Sequence, residues 1–436
     1  MLYDKLKKYN RIPFHMPGHK RNTKLLGNKL PYDLDITEVE GFDNLQSPDG
    51  ILKEIEDKAK EIYKSDHSFI LVNGSTVGIL AGILTAVKRG DTVLMARNCH
   101  KSVYNGVELA GANAEYIVPE IDKYGIFKAI NVKKLEERIL SVKPKLIVIT
   151  SPTYEGVISE NCDICELAHK YGIPVLLDAA HGADLTELAQ FPDITVMSLH
   201  KTLPALTQCA LAHVSGTLIS AEEFRIMLSI LQTSSPSYIL MCSIDECLSF
   251  KPNNMKLLNE RDKLIKKCDI LNHLKILDYG DIYKLVIFTG YSNISGVELA
   301  NKLRADYNIE VEMACRYYIV LVLSSCDDYS NYNKLAKALI QIDSALIEAK
   351  CSPIKLPDLP EKASELSASY EYAALDNSVN RVSAEYVWAY PPGIPLIVPG
   401  EIITEELIAY IKDNLSSGVN IQSTRGKLPE KIYCQS

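Results

Sequence analysis

Between residues 69 and 214, short runs rich in Val, Ile and Leu recur along the chain. They are "FILV" (69–72), "TVLM" (92–95), "AEYIV" (114–118), "KLIVI" (145–149), "PVLL" (174–177), "ITVMS" (194–198) and "ALAHV" (210–214). Stretches with helical periodicity, such as "TVGILAGILTAVKRG" and "VKKLEERILSV", separate most of them. Continuous apolar strands spaced by helices predict an α/β fold, with a mostly parallel central sheet and helices on both faces. After residue 217 the spacing predicts long helices over 220–232, 236–250 and 253–271. Strands at "YKLVIFT" (283–289), "IEVEM" (309–313) and "YYIVLVLS" (317–324), alternating with helices, then predict a smaller C-terminal α/β domain. Residues 1–65 read as polar and irregular, since "FHMPGHKRN" carries Pro and Gly. "CSPIKLPDLPEKAS" (351–364) is Pro-rich and reads as a linker. The expected organisation is an N-terminal segment (1–65), a large domain (66–275), a small α/β domain (276–350), and a linker with a C-terminal tail domain (351–436).

Composition narrows the class. With 436 residues, 47% hydrophobic and 23% charged, the chain is an ordinary globular protein. Its net charge of −8 speaks against the basic footprint of a nucleic-acid protein. No run approaches the ~20 apolar residues that span a bilayer. The opening "MLYDKLKKYNRIPFHMPGHK" lacks the apolar region of a secretory signal. Eleven scattered cysteines fit reduced thiols in a cytoplasm. Cys162 and Cys165 form a C-x-x-C on an amphipathic helix with no second pair, and read as small core residues. His15 and His19 are spaced i, i+4, but the Pro-Gly between them removes a helical ligand pair. No metal site is expected.

In an open parallel sheet, ligands bind at the carboxyl ends of the strands. After "FILV" comes "NGST", where Gly74, Ser75 and Thr76 offer N–H groups, hydroxyls and a helix N-terminus, a cup for phosphate or an ordinary N-cap. His100 follows "TVLM", and "TSPTYEG" follows "KLIVI". Asp178 follows "PVLL", with His181 three residues on. "ITVMS" runs into His200 and Lys201. Lys is among the residues least often buried. At the end of a core strand it is solvated, ion-paired or held for chemistry. Five polar groups at adjacent strand ends match what pyridoxal phosphate needs. A lysine holds its aldehyde, a buried carboxylate keeps its ring nitrogen protonated, hydroxyls and a helix N-terminus take the phosphate, and flat walls flank the ring. Lys201, Asp178, the Gly74–Thr76 cup with Ser198, and His100 fill these places. Apolar surroundings favour the neutral, nucleophilic amine of Lys201.

"HMPGHK", "NGST", "RNCHKS", "SPTYEG", "DAAHGA", "SLHKTLPALTQ", "SSPSY" and "YPPGIPLIVPGE" together resemble the bacterial ornithine/lysine/arginine decarboxylase family, of the aspartate-aminotransferase fold type. The likeness runs from residue 14 to about residue 401. It implies that Lys201 carries the cofactor, Asp178 pairs with its ring nitrogen, and His100 stacks on the ring. It further implies that Ser75, Thr76 and Ser198 bind phosphate and that His181 and His200 border the cofactor. The family is dimeric, which implies that Thr233, Ser234 and Ser235 reach the partner's phosphate. Glu401 falls where the family can contact the far end of the substrate. The chain starts almost at "HMPGHK" and has a short tail after Glu401, so it resembles the short branch without an N-terminal wing domain.

The expected activity is decarboxylation of a basic amino acid, in the order arginine, lysine, ornithine. An aminotransferase or C–S lyase on the same scaffold, and a cofactor-binding protein without activity, are the alternatives. An aminotransferase needs an arginine on the α-carboxylate, and the sequence does not place Arg316 or Arg381 relative to the ring. Glu401 has a second reading, as a cap for the helix in "ITEELIAYIKDNL".

Overall fold

The structure is a computed structural model that describes residues 1–349, 357–363, 369–389 and 393–436. Residues 351–356 and 364 of the Pro-rich linker, and Tyr390 to Pro392 of the "YPPG" motif, lie outside the described residues.

Seven strands form the central sheet: β1 (His67–Leu71), β2 (Thr92–Ala96), β3 (Asn113–Ile117), β4 (Leu146–Thr150), β5 (Val175–Asp178), β6 (Ile194–Ser198) and β7 (Ala210–Val214). All seven coincide with the apolar runs to within two residues. Their order is β1-β7-β6-β5-β4-β2-β3. β3, β2, β4, β5 and β6 are parallel. β7 is antiparallel to both β6 and β1, so β1 points the same way as β6. The carboxyl ends of six strands therefore share one edge. Every residue of β5, β6 and β7 is buried, which explains the absence of polar alternation in their sequences.

The helix Gly74–Ala86 packs directly on this sheet. A Cβ on Gly78 would sit 2.7 Å from Leu71 Cδ1, and one on Gly82 would sit 2.5 Å from Leu176 Cδ1. Two glycines four residues apart fall on one helix face, and they let the helix approach the strands. Its N-terminus is thereby fixed at the strand-end edge.

The N-terminal segment departs from the expected irregular path. Ile51–Tyr63 is a helix that buries Leu52, Ile55, Ala59 and Tyr63. Those positions follow the i, i+3, i+4 rhythm of one helical face, which the flanking polar residues masked. The Asp43 carboxylate accepts from the N–H groups of Gly50 (2.8 Å) and Leu52 (2.9 Å) and so satisfies the helix start. Leu2 and Leu6, near the chain's first residue, are fully buried in the main core.

The smaller sheet comprises β8 (Lys275–Leu277), β9 (Lys284–Phe288), β10 (Met313–Ala314) and β11 (Tyr318–Val322), in the order β10-β11-β9-β8 and antiparallel throughout. Only the end of "IEVEM" joins it. Glu312 lies just before β10, its N–H donating to Val320 O at 3.0 Å. The last part of the chain has its own core, including Val387, Ile397, Ile411 and Ile432, under the helix Glu405–Ser416. No helix among the described residues is long and apolar enough to cross a membrane.

Candidate active site

The strand ends converge on one cleft of about 310 Å³. β1 delivers Ser75, β2 His100, β5 Asp178 and His181, and β6 Lys201. Lys201 sits in the single turn Leu199–Thr202 that directly continues β6. Its Nζ lies 2.9 Å from His181 Nε2. Asp178 ends β5 in register with Thr150 and Val196, and its Oδ1 accepts from the Ala180 N–H at 3.2 Å. His100 caps the helix Lys101–Ala110, with its Nδ1 accepting from the Ser102 N–H at 3.2 Å. The small domain contributes Glu312, and the C-terminal part contributes Ile394.

Burial sets the charge states. It pushes the Lys201 amine below the usual lysine range, and the buried Lys284 ammonium adds to the push, while Asp178 opposes it. Burial raises the Asp178 carboxyl, against the pull of Lys201. His181 is driven well down by burial and by Lys201, and is neutral. His100 is lowered to about 4 by burial, then by the charges of Lys201 and Lys101. In the cofactor-free protein the His100 ring is expected to titrate near pH 4 in an NMR titration. Lys201→Ala should raise that midpoint, because a nearby cation disfavours imidazolium. A wild-type midpoint at the ordinary histidine value, or no upward move in the variant, contradicts this electrostatic picture.

Several expected residues lie outside the cleft lining. Thr76 is exposed, and Ser198 is buried behind the lining with its Oγ unpartnered. His200 turns to the neighbouring strand instead of bordering the cleft, its Nδ1–H donating to Cys209 O at 3.0 Å. Thr233 and Ser234 are exposed. The Thr233 N–H reaches Asn73 Oδ1 of its own chain at 3.2 Å. Gly74 takes the left-handed φ of +76° that starts the helix.

Glu401 requires a correction. It lies outside the cleft lining, does not cap the helix, is 3% exposed and forms a two-pronged ion pair with the fully buried Arg97. Arg97 Nε donates to Oε1 at 3.1 Å and Nη2 to Oε2 at 3.0 Å. Thr404 caps the following helix. Arg97 also donates to Pro395 O at 2.7 Å, so this pair clamps the C-terminal part onto the end of β2, next to His100. The rigid Pro-rich path does hold the carboxylate in place, but its partner belongs to the protein. Arg97→Met leaves the buried Glu401 carboxylate without its counter-charge, with only the Val398 N–H at 2.9 Å, and is expected to cost about 3–5 kcal/mol. The double variant Arg97→Met/Glu401→Leu should regain much of that. Thermal melts check both, and a Glu401→Gln protein with an unchanged melting temperature but a raised KM contradicts the clamp.

Sequence reasoning missed Tyr154 and Glu312. Tyr154 was visible within "SPTYEG", but its ring, edge-on to His181 at 4.5 Å, depends on the loop path. Glu312 lies within the expected strand "IEVEM", and only the docking of the small domain brings it to the cleft. Cys165 is buried and Cys162 bonds to Glu166, and no group of three metal-type ligands occurs among the described residues.

A lysine and a carboxylate thus stand at adjacent strand ends, beside a helix start with no side-chain cap, in a mixed α/β fold with a mostly parallel sheet. The solved alanine–glyoxylate aminotransferase from Nostoc sp. shares this fold, with a TM-score of 0.55 and 15% identity over 69% of this chain and 88% of that one. The likeness is greater to a lysine decarboxylase from Francisella novicida, with a TM-score of 0.83 and 19% identity over 100% of this chain and 81% of that one. The family profile "Orn/Lys/Arg decarboxylase, major domain" matches residues 1–268, and that of the C-terminal domain matches 352–418. An arginine decarboxylase from Bacillus subtilis is 32% identical over 97% of this chain and 94% of its own length. The chain belongs to the ornithine/lysine/arginine decarboxylase family.

Proposed function

We propose that the protein is a pyridoxal-phosphate-dependent decarboxylase of a basic amino acid, with arginine ahead of lysine and ornithine, releasing the amine and carbon dioxide. One observation carries this reading over an aminotransferase: no arginine is among the described residues lining the cleft. A transaminating enzyme keeps its substrate's α-carboxylate and clamps it. Here Arg316 is committed to Asp413 and Ser417, Arg381 to Glu371 and Gln435 O, and Arg97 to Glu401. A carboxylate that no arginine clamps is free to leave as carbon dioxide, a neutral molecule.

When bound, the cofactor supplies an electron sink for the carbanion that decarboxylation leaves. Lys201, whose amine burial shifts toward the neutral form, would be the nucleophile toward its aldehyde. His181 accepts from the Lys201 amine and aims it into the cleft. Asp178 would hold the proton on the ring nitrogen, and the neutral His100 ring would flank it. Ser75, Thr76 and the helix-start N–H groups that follow Gly74, whose own N–H donates to Gln208 O at 3.0 Å, would hold the phosphate, together with the unpartnered Ser198 Oγ. The choice of arginine first is supported by the Bacillus relative.

The working unit in this reading is a cytoplasmic homodimer. Ile12, Phe14 and Met16 are 80%, 94% and 66% exposed, an apolar run that suits burial by a second copy. Thr233 and Ser234 then serve the partner's phosphate. The described cysteines are all unpaired, which suits a reducing compartment. Amine formation from arginine, lysine and ornithine tests the substrate, with arginine expected to be fastest. Amino-group transfer to an oxo acid without amine product would instead favour the aminotransferase.

A further inference from the structure

We propose that Glu312 receives the distal cation of the substrate and that Tyr154 holds it in position. This rests on the decarboxylase reading above and names the specificity residue of the same site. Among the described residues lining the cleft, only Asp178 and Glu312 carry carboxyl groups. Asp178 is buried at the inner end, within electrostatic reach of Lys201. Glu312 comes from the small domain and is exposed.

A chain of contacts links it to the reacting end. Lys201 Nζ meets His181 Nε2 at 2.9 Å, the His181 ring meets the Tyr154 ring at 4.5 Å, and the Tyr154 hydroxyl donates to Glu312 Oε1. A substrate whose α-amine engages Lys201 and whose side chain runs outward past Tyr154 ends at Glu312. Two other acids, Glu155 and Glu401, are committed elsewhere. Glu155 accepts from the Tyr318 hydroxyl at 2.9 Å, and both Glu401 oxygens are held by Arg97.

Tyr154 occupies only part of one Glu312 oxygen. Each carboxylate oxygen has two acceptor sites, so Oε2 and the second site on Oε1 are left for a ligand. Two parallel N–H groups of a guanidinium match such a pair of oxygens, whereas an ammonium engages it as a point charge. The bland alternative is a solvated glutamate at the cleft rim that happens to meet a tyrosine.

The magnitude decides what to look for. A fully exposed ion pair is worth about 2–5-fold, and a desolvated one costs well over ten-fold when broken. A carboxylate at a mouth covered by its ligand lies between them, at about ten-fold.

The test uses the holoenzyme with arginine as substrate and citrulline, its neutral ureido counterpart, as a competitive inhibitor. Glu312→Gln should raise the KM for arginine about ten-fold with a much smaller change in kcat, and should leave the citrulline Ki within about two-fold. Glu312→Asp should recover part of the loss, and Tyr154→Phe should cost about three-fold on arginine alone. Melting temperatures should not move for the exposed Glu312. An unchanged arginine KM in Glu312→Gln, or equal losses for arginine and citrulline, overturns the assignment while leaving the decarboxylase reading intact. A wild-type enzyme that releases no carbon dioxide from arginine, lysine or ornithine overturns both.

Discussion

Lys201→Ala is expected to abolish carbon dioxide release, a loss of about 10⁴-fold or more, as for other covalent nucleophiles. The yellow absorbance of the lysine-bound cofactor should disappear with it. The fold should survive, because Lys201 lies in a one-turn element after β6 and its burial opposes its own charge. Removing an amine that the site desolvates takes away a cost as well as a contact. Circular dichroism and a melting curve of the cofactor-free variant check this second part. A yellow, active Lys201→Ala protein would remove the basis of the site.

Asp178→Asn is expected to lower kcat by about 10³-fold, roughly 4 kcal/mol of transition-state stabilisation. The amide is nearly the same shape, and its oxygen can still accept from the Ala180 N–H. What it lacks is the charge that keeps the ring nitrogen protonated, and without that proton the ring draws electrons poorly. Cofactor binding and KM should change little, since the phosphate corner lies elsewhere. Steady-state kinetics on cofactor-saturated protein separates the effects, and a kcat within a few-fold of wild type rules out this role for Asp178.

The inner half of the site was legible because parallel-sheet geometry makes position in sequence equivalent to position in space. A residue directly after a buried strand lies on the ligand edge, so Asp178 after "PVLL" and Lys201 after "ITVMS" needed no tertiary information. The central strands were legible for the same reason. The outer half depends on docking between parts of the chain. Glu401 and Arg97 are 304 residues apart, and no local pattern pairs them. Arg97 stood in plain view in "RNCHKS", yet a fully buried guanidinium cannot be told from a surface one without its neighbours. Glu312 was hidden by the alternation in "IEVEM", which a strand and an extended approach to a short strand share. The Ile51–Tyr63 helix was lost because Glu and Lys outnumber its apolar face, although the spacing of Leu52, Ile55, Ala59 and Tyr63 carried the signal.

Arginine labelled at its carboxyl carbon gives the most direct test of the central claim. With purified, cofactor-loaded protein, labelled carbon dioxide and the decarboxylated amine should appear in equal amounts, with no 2-oxo acid. Label that stays in a 2-oxo acid, or no turnover of arginine, lysine or ornithine when each is carboxyl-labelled, would contradict the account.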